Sequence, residues 1–165
     1  NSIEIPKNIA LAMLSAIISD SLLFKSPTCT DEDKKVAAEL EKIAGINKEE
    51  YGMEMLKAGT DLSSYSIEEI LNIDRKTAVY GNYKASINQV MTADVEETLK
   101  LKEELEAGMK KIIEEENLDL FMLLITDIIN SDSTVIALGN KTEAVEKGYN
   151  VTLNNNMAVL KRSCF

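Results

Sequence analysis

Thr77-Ala78-Val79-Tyr80-Gly81-Asn82-Tyr83-Lys84-Ala85-Ser86-Ile87-Asn88-Gln89-Val90-Met91-Thr92 is the stretch where the residue pattern changes from a period of 3.6 to a period of 2. A period of 2 sends successive side chains to opposite faces of a strand. Two such runs, Thr77 to Tyr80 and Tyr83 to Thr92, meet across Gly81-Asn82, a two-residue hairpin signal. Strands this close to helical periodicity on either side predict an α/β domain.

Downstream, Asp94 is placed to cap a long helix to about Glu116, with Val95, Leu99, Leu105, Met109, Ile112 and Ile113 on one face. Leu118 to Ile125 and Thr134 to Leu138 are continuous apolar runs, the kind expected in strands covered on both faces. Lys141 to Gly148 predicts a short helix. Val151 to Leu153, the Asn154-Asn155-Asn156 turn and Met157 to Leu160 complete a mixed sheet of about five strands flanked by helices.

Upstream, Ser66 and Glu69 form a capping box opening a short helix to about Asn72. Gly59 to Ser66 is rich in Gly, Ser, Thr and Asp and predicts a linker. Before it, Asn47 caps a helix to about Ala58, and Thr30 with Asp33 caps a helix from Asp31 to Ala44 that Gly45 closes. Ser21 to Thr30 is a loop whose Pro27 forbids helix continuation. Ile9 to Ile18, after Pro6, is a helix apolar on nearly all sides, so it is expected to be covered by protein all round. That face-free pattern predicts that its covering layer lies elsewhere, on another copy or on other chain. The expected organisation is residues 1–58 as the end of one domain, 59–66 as linker, and 67–165 as an α/β domain.

The composition agrees with a folded protein: 165 residues, 45% hydrophobic and 28% charged, with a formal net charge of -10. Such an acidic surface disfavours nucleic acid and anionic membrane, which need clustered Lys and Arg, but it attracts divalent cations. The longest apolar run is about half of what a bilayer crossing needs. Cys29 and Cys164 have no metal-ligand spacing, which predicts a reducing cytoplasm. There is no histidine, so any imidazole ligand or base must be supplied from outside these residues.

Taken singly, the candidate residues leave alternatives open. Asp20, at the end of the apolar helix, is either a hard-oxygen ligand for manganese or magnesium or a carboxylate marking the helix exit to solvent. Lys76, after Asp74-Arg75, is either a phosphate contact or a solvated lysine. Glu68-Glu69 reads as helix-start charge, Glu114-Glu115-Glu116 as a solvated face, and Asp127 and Asp132 as an acidic loop. Cys29 has no histidine to activate it.

Longer words carry more. Ile17-Ile18-Ser19-Asp20-Ser21-Leu22-Leu23-Phe24-Lys25-Ser26-Pro27-Thr28-Cys29-Thr30 resembles the segment closing the metal-binding domain of family II inorganic pyrophosphatases, in the DHH phosphoesterase superfamily. Tyr51-Gly52-Met53, the run Met55 to Ser63, Ile73-Asp74-Arg75-Lys76, Ile87-Asn88-Gln89-Val90 and Leu118-Asp119-Leu120-Phe121 continue the resemblance in order.

The resemblance implies a helical remnant of the metal-binding DHH domain over 1–58, then the DHH-associated substrate-binding domain over 67–165. It implies a two-metal cluster of manganese (or cobalt), with magnesium arriving with the substrate, pyrophosphate. It also implies a homodimer for the whole enzyme and an inactive fragment for this part alone. Under it, Asp20 matches a metal-ligand aspartate and Lys76 a lysine binding substrate phosphate, with the remaining ligands upstream.

An exopolyphosphatase of the same superfamily, or a non-catalytic phosphate- or partner-binding module, are the competing readings. The tail Arg162-Ser163-Cys164-Phe165 departs from the family's Gly-Val-Val-Ser-Arg-Lys. Bases coding for this tail give Gly-Val-Val-Ser-Arg when read one position on, so a one-base insertion after the Lys161 codon is expected.

Overall fold

Side-chain caps start most of the helices where the sequence places them. The computed structural model describes residues 4–161, and the chain divides between Thr60 and Asp61 into two compact units. The first holds three helices: α1 (Lys7–Ser21), α2 (Asp31–Ala44) and α3 (Lys48–Gly59). Thr30 and Asp33 form a reciprocal capping box on α2, and the Asn47 side chain accepts from the backbone N–H groups of Glu49 and Glu50 on α3. Buried Ala10, Leu14 and Ile18 of α1 and Ala37 and Leu40 of α2 follow a helical spacing, and α1 packs on both α2 and α3.

The second unit is an α/β layer structure: α4 (Ile67–Ile70), β1 (Lys76–Tyr80), β2 (Tyr83–Thr92), α5 (Val95–Leu99), α6 (Lys102–Glu116), β3 (Leu120–Asp127), β4 (Ser133–Gly139), α7 (Glu143–Tyr149) and β5 (Met157–Leu160). One mixed sheet runs in the order β1-β2-β3-β4-β5, with β2 and β3 parallel and the other pairs antiparallel. The parallel pair requires a crossover, which α5 and α6 supply. On one face Val90, Phe121, Leu123, Ile125 and Ile136 pack with Ile70, Leu105 and Met109 of the helices. On the other, Met122, Val135 and Ala137 pack with Val145 of α7, joined by Val151 and Leu153. β3 and β4 are thus covered on both sides, as their unbroken apolar runs predict.

Two local expectations are corrected. The helix from Asp94 is not continuous: it breaks at Lys100–Leu101, where the Lys100 and Leu101 N–H groups close short turns onto Glu97 and Thr98. Leu99 and Leu101 would point about 200° apart on one straight helix, yet both pack on the same core, and the break permits it. Val151 to Leu153 is not a strand. Its backbone is taken by α7 instead, with Val151 N donating to the Glu146 carbonyl and Leu153 N to the Glu146 carboxylate at 2.8 Å. Helix α1 is covered within its unit on one face only, and Ile9 and Met13 remain 48% and 42% exposed, in line with a covering layer that lies elsewhere.

Candidate functional site

Lys76 is the first residue of β1, an edge strand whose five residues are all exposed. Its side chain is 79% exposed, and its ammonium lies 3.1 Å from the Asp74 carboxylate. Asp74 adopts φ 45, a left-handed conformation that Asp tolerates better than most residues. This bend turns the chain from α4 into β1. A cation this exposed, beside one exposed carboxylate, can exchange that partner for a phosphate oxygen.

The bend is held from several sides. Asn72 donates through Nδ2 to the Glu68 carbonyl at 2.8 Å and accepts through Oδ1 from Arg75 Nε at 3.1 Å. Arg75 Nη2 donates to Glu116 Oε1 at 2.8 Å, at the end of α6. That guanidinium holds the Glu116 carboxyl below the usual carboxylate range, against the upward push of burial. Asn88 of β2, fully buried, donates through Nδ2 to the Ile73 carbonyl. Arg75 Nη1 and Asn88 Oδ1 are the two buried polar side-chain atoms, among the described residues, left without a hydrogen bond.

On the sheet face that Lys76 shares by register with Ile87 runs a polar row. Gln89 Nε2 donates to Thr126 Oγ1 at 3.0 Å, and the Thr126 and Ser133 hydroxyls meet at 2.9 Å. Sequence reasoning did not single out Asn88, Gln89, Thr126 or Ser133 as site residues. The available signal is that polar side chains occupy buried strand positions, or in the case of Gln89 a half-buried one, where an apolar residue would be the default.

In the first unit, Asp20 lies exposed in the last turn of α1. It follows Met13 and Ala16 by helical steps, so it ends the exposed face of that helix. Beyond it, Leu22, Leu23 and Phe24 have φ of 46, 54 and 64, three consecutive non-glycine residues in left-handed conformation. Ser21 fastens this turn: its hydroxyl donates to the Ile17 carbonyl at 2.6 Å and accepts from Phe24 N at 3.1 Å. Leu23 packs so closely over Gly52 of α3 that a Cβ there would lie 2.4 Å from Leu23 Cδ1. The helix end that carries Asp20 is thus held by the Ser21 hydrogen bonds and by the packing of Leu23 on Gly52.

Among the described residues no three His, Cys, Asp or Glu side chains gather where a metal ion could be held. The described donors do not compose a metal centre, and among them Asp20 is one isolated candidate ligand. No helix among the described residues is long and apolar enough to cross a membrane. Cys29 is a half-buried free thiol; Cys164 and the rest of the tail 162–165 lie outside the described residues.

The DHHA2 domain family matches residues 53–163. The "Manganese-dependent inorganic pyrophosphatase" of Bacillus subtilis (strain 168) is 55% identical over 161 residues, which is 98% of this chain and 52% of that protein. The "Probable manganese-dependent inorganic pyrophosphatase" of Brevibacillus brevis has the same identity and coverage. Among solved structures, the "Crystal structure of Methanococcus jannaschii putative family II inorganic pyrophosphatase" aligns with a TM-score of 0.74 and 41% identity, over 100% of this chain and 54% of that one. The chain spans about half the length of the curated relatives it matches.

Proposed function

Because the chain belongs to the DHHA2 domain family, we propose that it is the substrate-binding part, with the end of the metal-binding part, of a manganese-dependent inorganic pyrophosphatase. The strongest support is the likeness to proteins of that name along nearly the whole chain. In this reading residues 1–58 close the metal-binding domain, 59–66 link, and 67–165 bind substrate. The whole enzyme is a cytoplasmic homodimer that uses manganese or cobalt, with magnesium entering with pyrophosphate.

Two side chains then have opposite tasks. Lys76 offers an ammonium that leaves Asp74 and neutralises a phosphate oxygen of pyrophosphate, a charge-assisted contact worth roughly 1.5–3 kcal/mol. Asp20 contributes one carboxylate oxygen to a metal cluster whose other ligands come from the upstream half of the protein. This chain alone holds no such cluster among its described residues.

The test is made on the full-length protein. Asp20→Ala should lower bound manganese and turnover together, with partial recovery at high metal. Lys76→Ala should leave bound manganese unchanged while raising KM and lowering kcat/KM by about one to two decades. Lys76→Arg should recover only part, since a planar fork does not replace a compact ammonium. Metal loss in Lys76→Ala, or full metal and activity in Asp20→Ala, overturns the assignment. Preference for long polyphosphate over pyrophosphate would favour the exopolyphosphatase reading instead.

A further inference from the structure

A lysine contacts phosphate only as well as the turn beneath it is placed, and the turn carrying Lys76 is held by groups that face away from any substrate. Position 88 lies inside the sheet's helical face, between Ser86 and Val90, in register with fully buried Leu123. An apolar side chain would pack there at no polar cost. The sequence instead buries an amide whose Oδ1 has no partner, a state that normally costs stability. Its Nδ2 goes to the Ile73 carbonyl, three residues before Lys76. The second restraint comes from the opposite side of the turn's sequence, where Arg75, adjacent to Lys76, reaches Glu116 at 2.8 Å with both side chains largely withdrawn from solvent. Neither hydrogen bond lengthens the sheet. Both fix the backbone at residues 73–75.

We propose that Asn88 and the Arg75–Glu116 pair are positioning residues for Lys76, holding its ammonium where a phosphate oxygen binds. The proposal rests on the reading of Lys76 as a phosphate contact. A misplacement near one ångström is enough to cost one to two decades in a reaction that depends on orientation.

The experiment is a double-mutant cycle in the full-length enzyme, with Asn88→Ala, Lys76→Ala and the pair, followed by kcat/KM for pyrophosphate, bound manganese and thermal midpoint. Asn88→Ala is expected to lower kcat/KM roughly tenfold, chiefly through KM, with metal content unchanged. On the Lys76→Ala background the same substitution should give no further loss of kcat/KM, although it lowers the thermal midpoint as before. A full tenfold loss on both backgrounds overturns the proposal, because Asn88 would then act without Lys76. If Lys76→Ala alone leaves kcat/KM unchanged, the reading of Lys76 fails and the proposal falls with it, an outcome distinct from the additive one. Should Asn88→Ala fail to fold, Glu116→Gln, which keeps the shape and removes the charge, enters the same cycle with the same two outcomes.

Discussion

At the scale of single residues, backbone geometry constrains this chain as firmly as chemistry does. Gly139, at the end of β4, has φ 120, and a Cβ there would lie 2.3 Å from the Asp119 carbonyl oxygen. That carbonyl accepts from Lys141 N, and Asp119 itself bridges to Lys84 through two 2.8 Å bonds, so the obstacle is anchored backbone. Gly139→Ala should destabilise the second unit by roughly 2–4 kcal/mol, through strain and overpacking together. Gly148, with nothing within 4 Å of its Cβ position, should gain about 0.5–1 kcal/mol as alanine in α7. Chemical denaturation of both variants against the parent gives the two signs directly; equal effects would contradict the geometry.

At the scale of elements, α6 is tied to the turn before β5 by one carboxylate. Glu106 lies beside the Lys102 ammonium and accepts from Asn156 Nδ2 at 3.3 Å. Burial pushes this carboxyl up, but the hydrogen bonds from Lys102 and Asn156 outweigh it and leave the group below its ordinary value. A depressed carboxyl contributes stability that is present above its unfolded pKa and is lost as pH falls through its folded one. Glu106→Gln should therefore lower stability at neutral pH and make the acid limb of a stability–pH curve shallower. An unchanged acid limb would show that the pair carries no net weight. The same element shows what sequence could and could not give. The apolar face from Val95 to Ile113 was legible because each of its six residues does meet one core. The break at Lys100–Leu101 was not, because no Gly or Pro marks it; it arises from the need of Leu99 and Leu101 to face one core.

At the scale of the whole molecule, α2's box at Thr30, α4's at Ser66 and the five-strand count were legible, since caps and strand periods are local signals. The strand order, the parallel pairing of β2 with β3, and the restraints on Lys76 were not, since they join residues distant in sequence. Lys76 and Asp20 came from resemblance, because an exposed lysine and an exposed aspartate carry no pattern of their own. Since the chain spans 52% of the length of its Bacillus subtilis relative, and the proposed cluster draws its other ligands from the remaining half, this 165-residue chain on its own should release no phosphate from pyrophosphate in the presence of manganese. Turnover that persists in repurified material and responds to chelation would contradict this. The parallel pair also sets a schedule. The β1–β2 hairpin closes over two residues, within microseconds of leaving the ribosome. The central strand β3, its next neighbour in the sheet, is synthesised only after α5 and α6, so contact between Ala85 and Leu120 comes late. During that interval Asn88 and Val90 wait in water beside an open edge, and every newly made copy passes through a stage in which chaperone or neighbour can seize it.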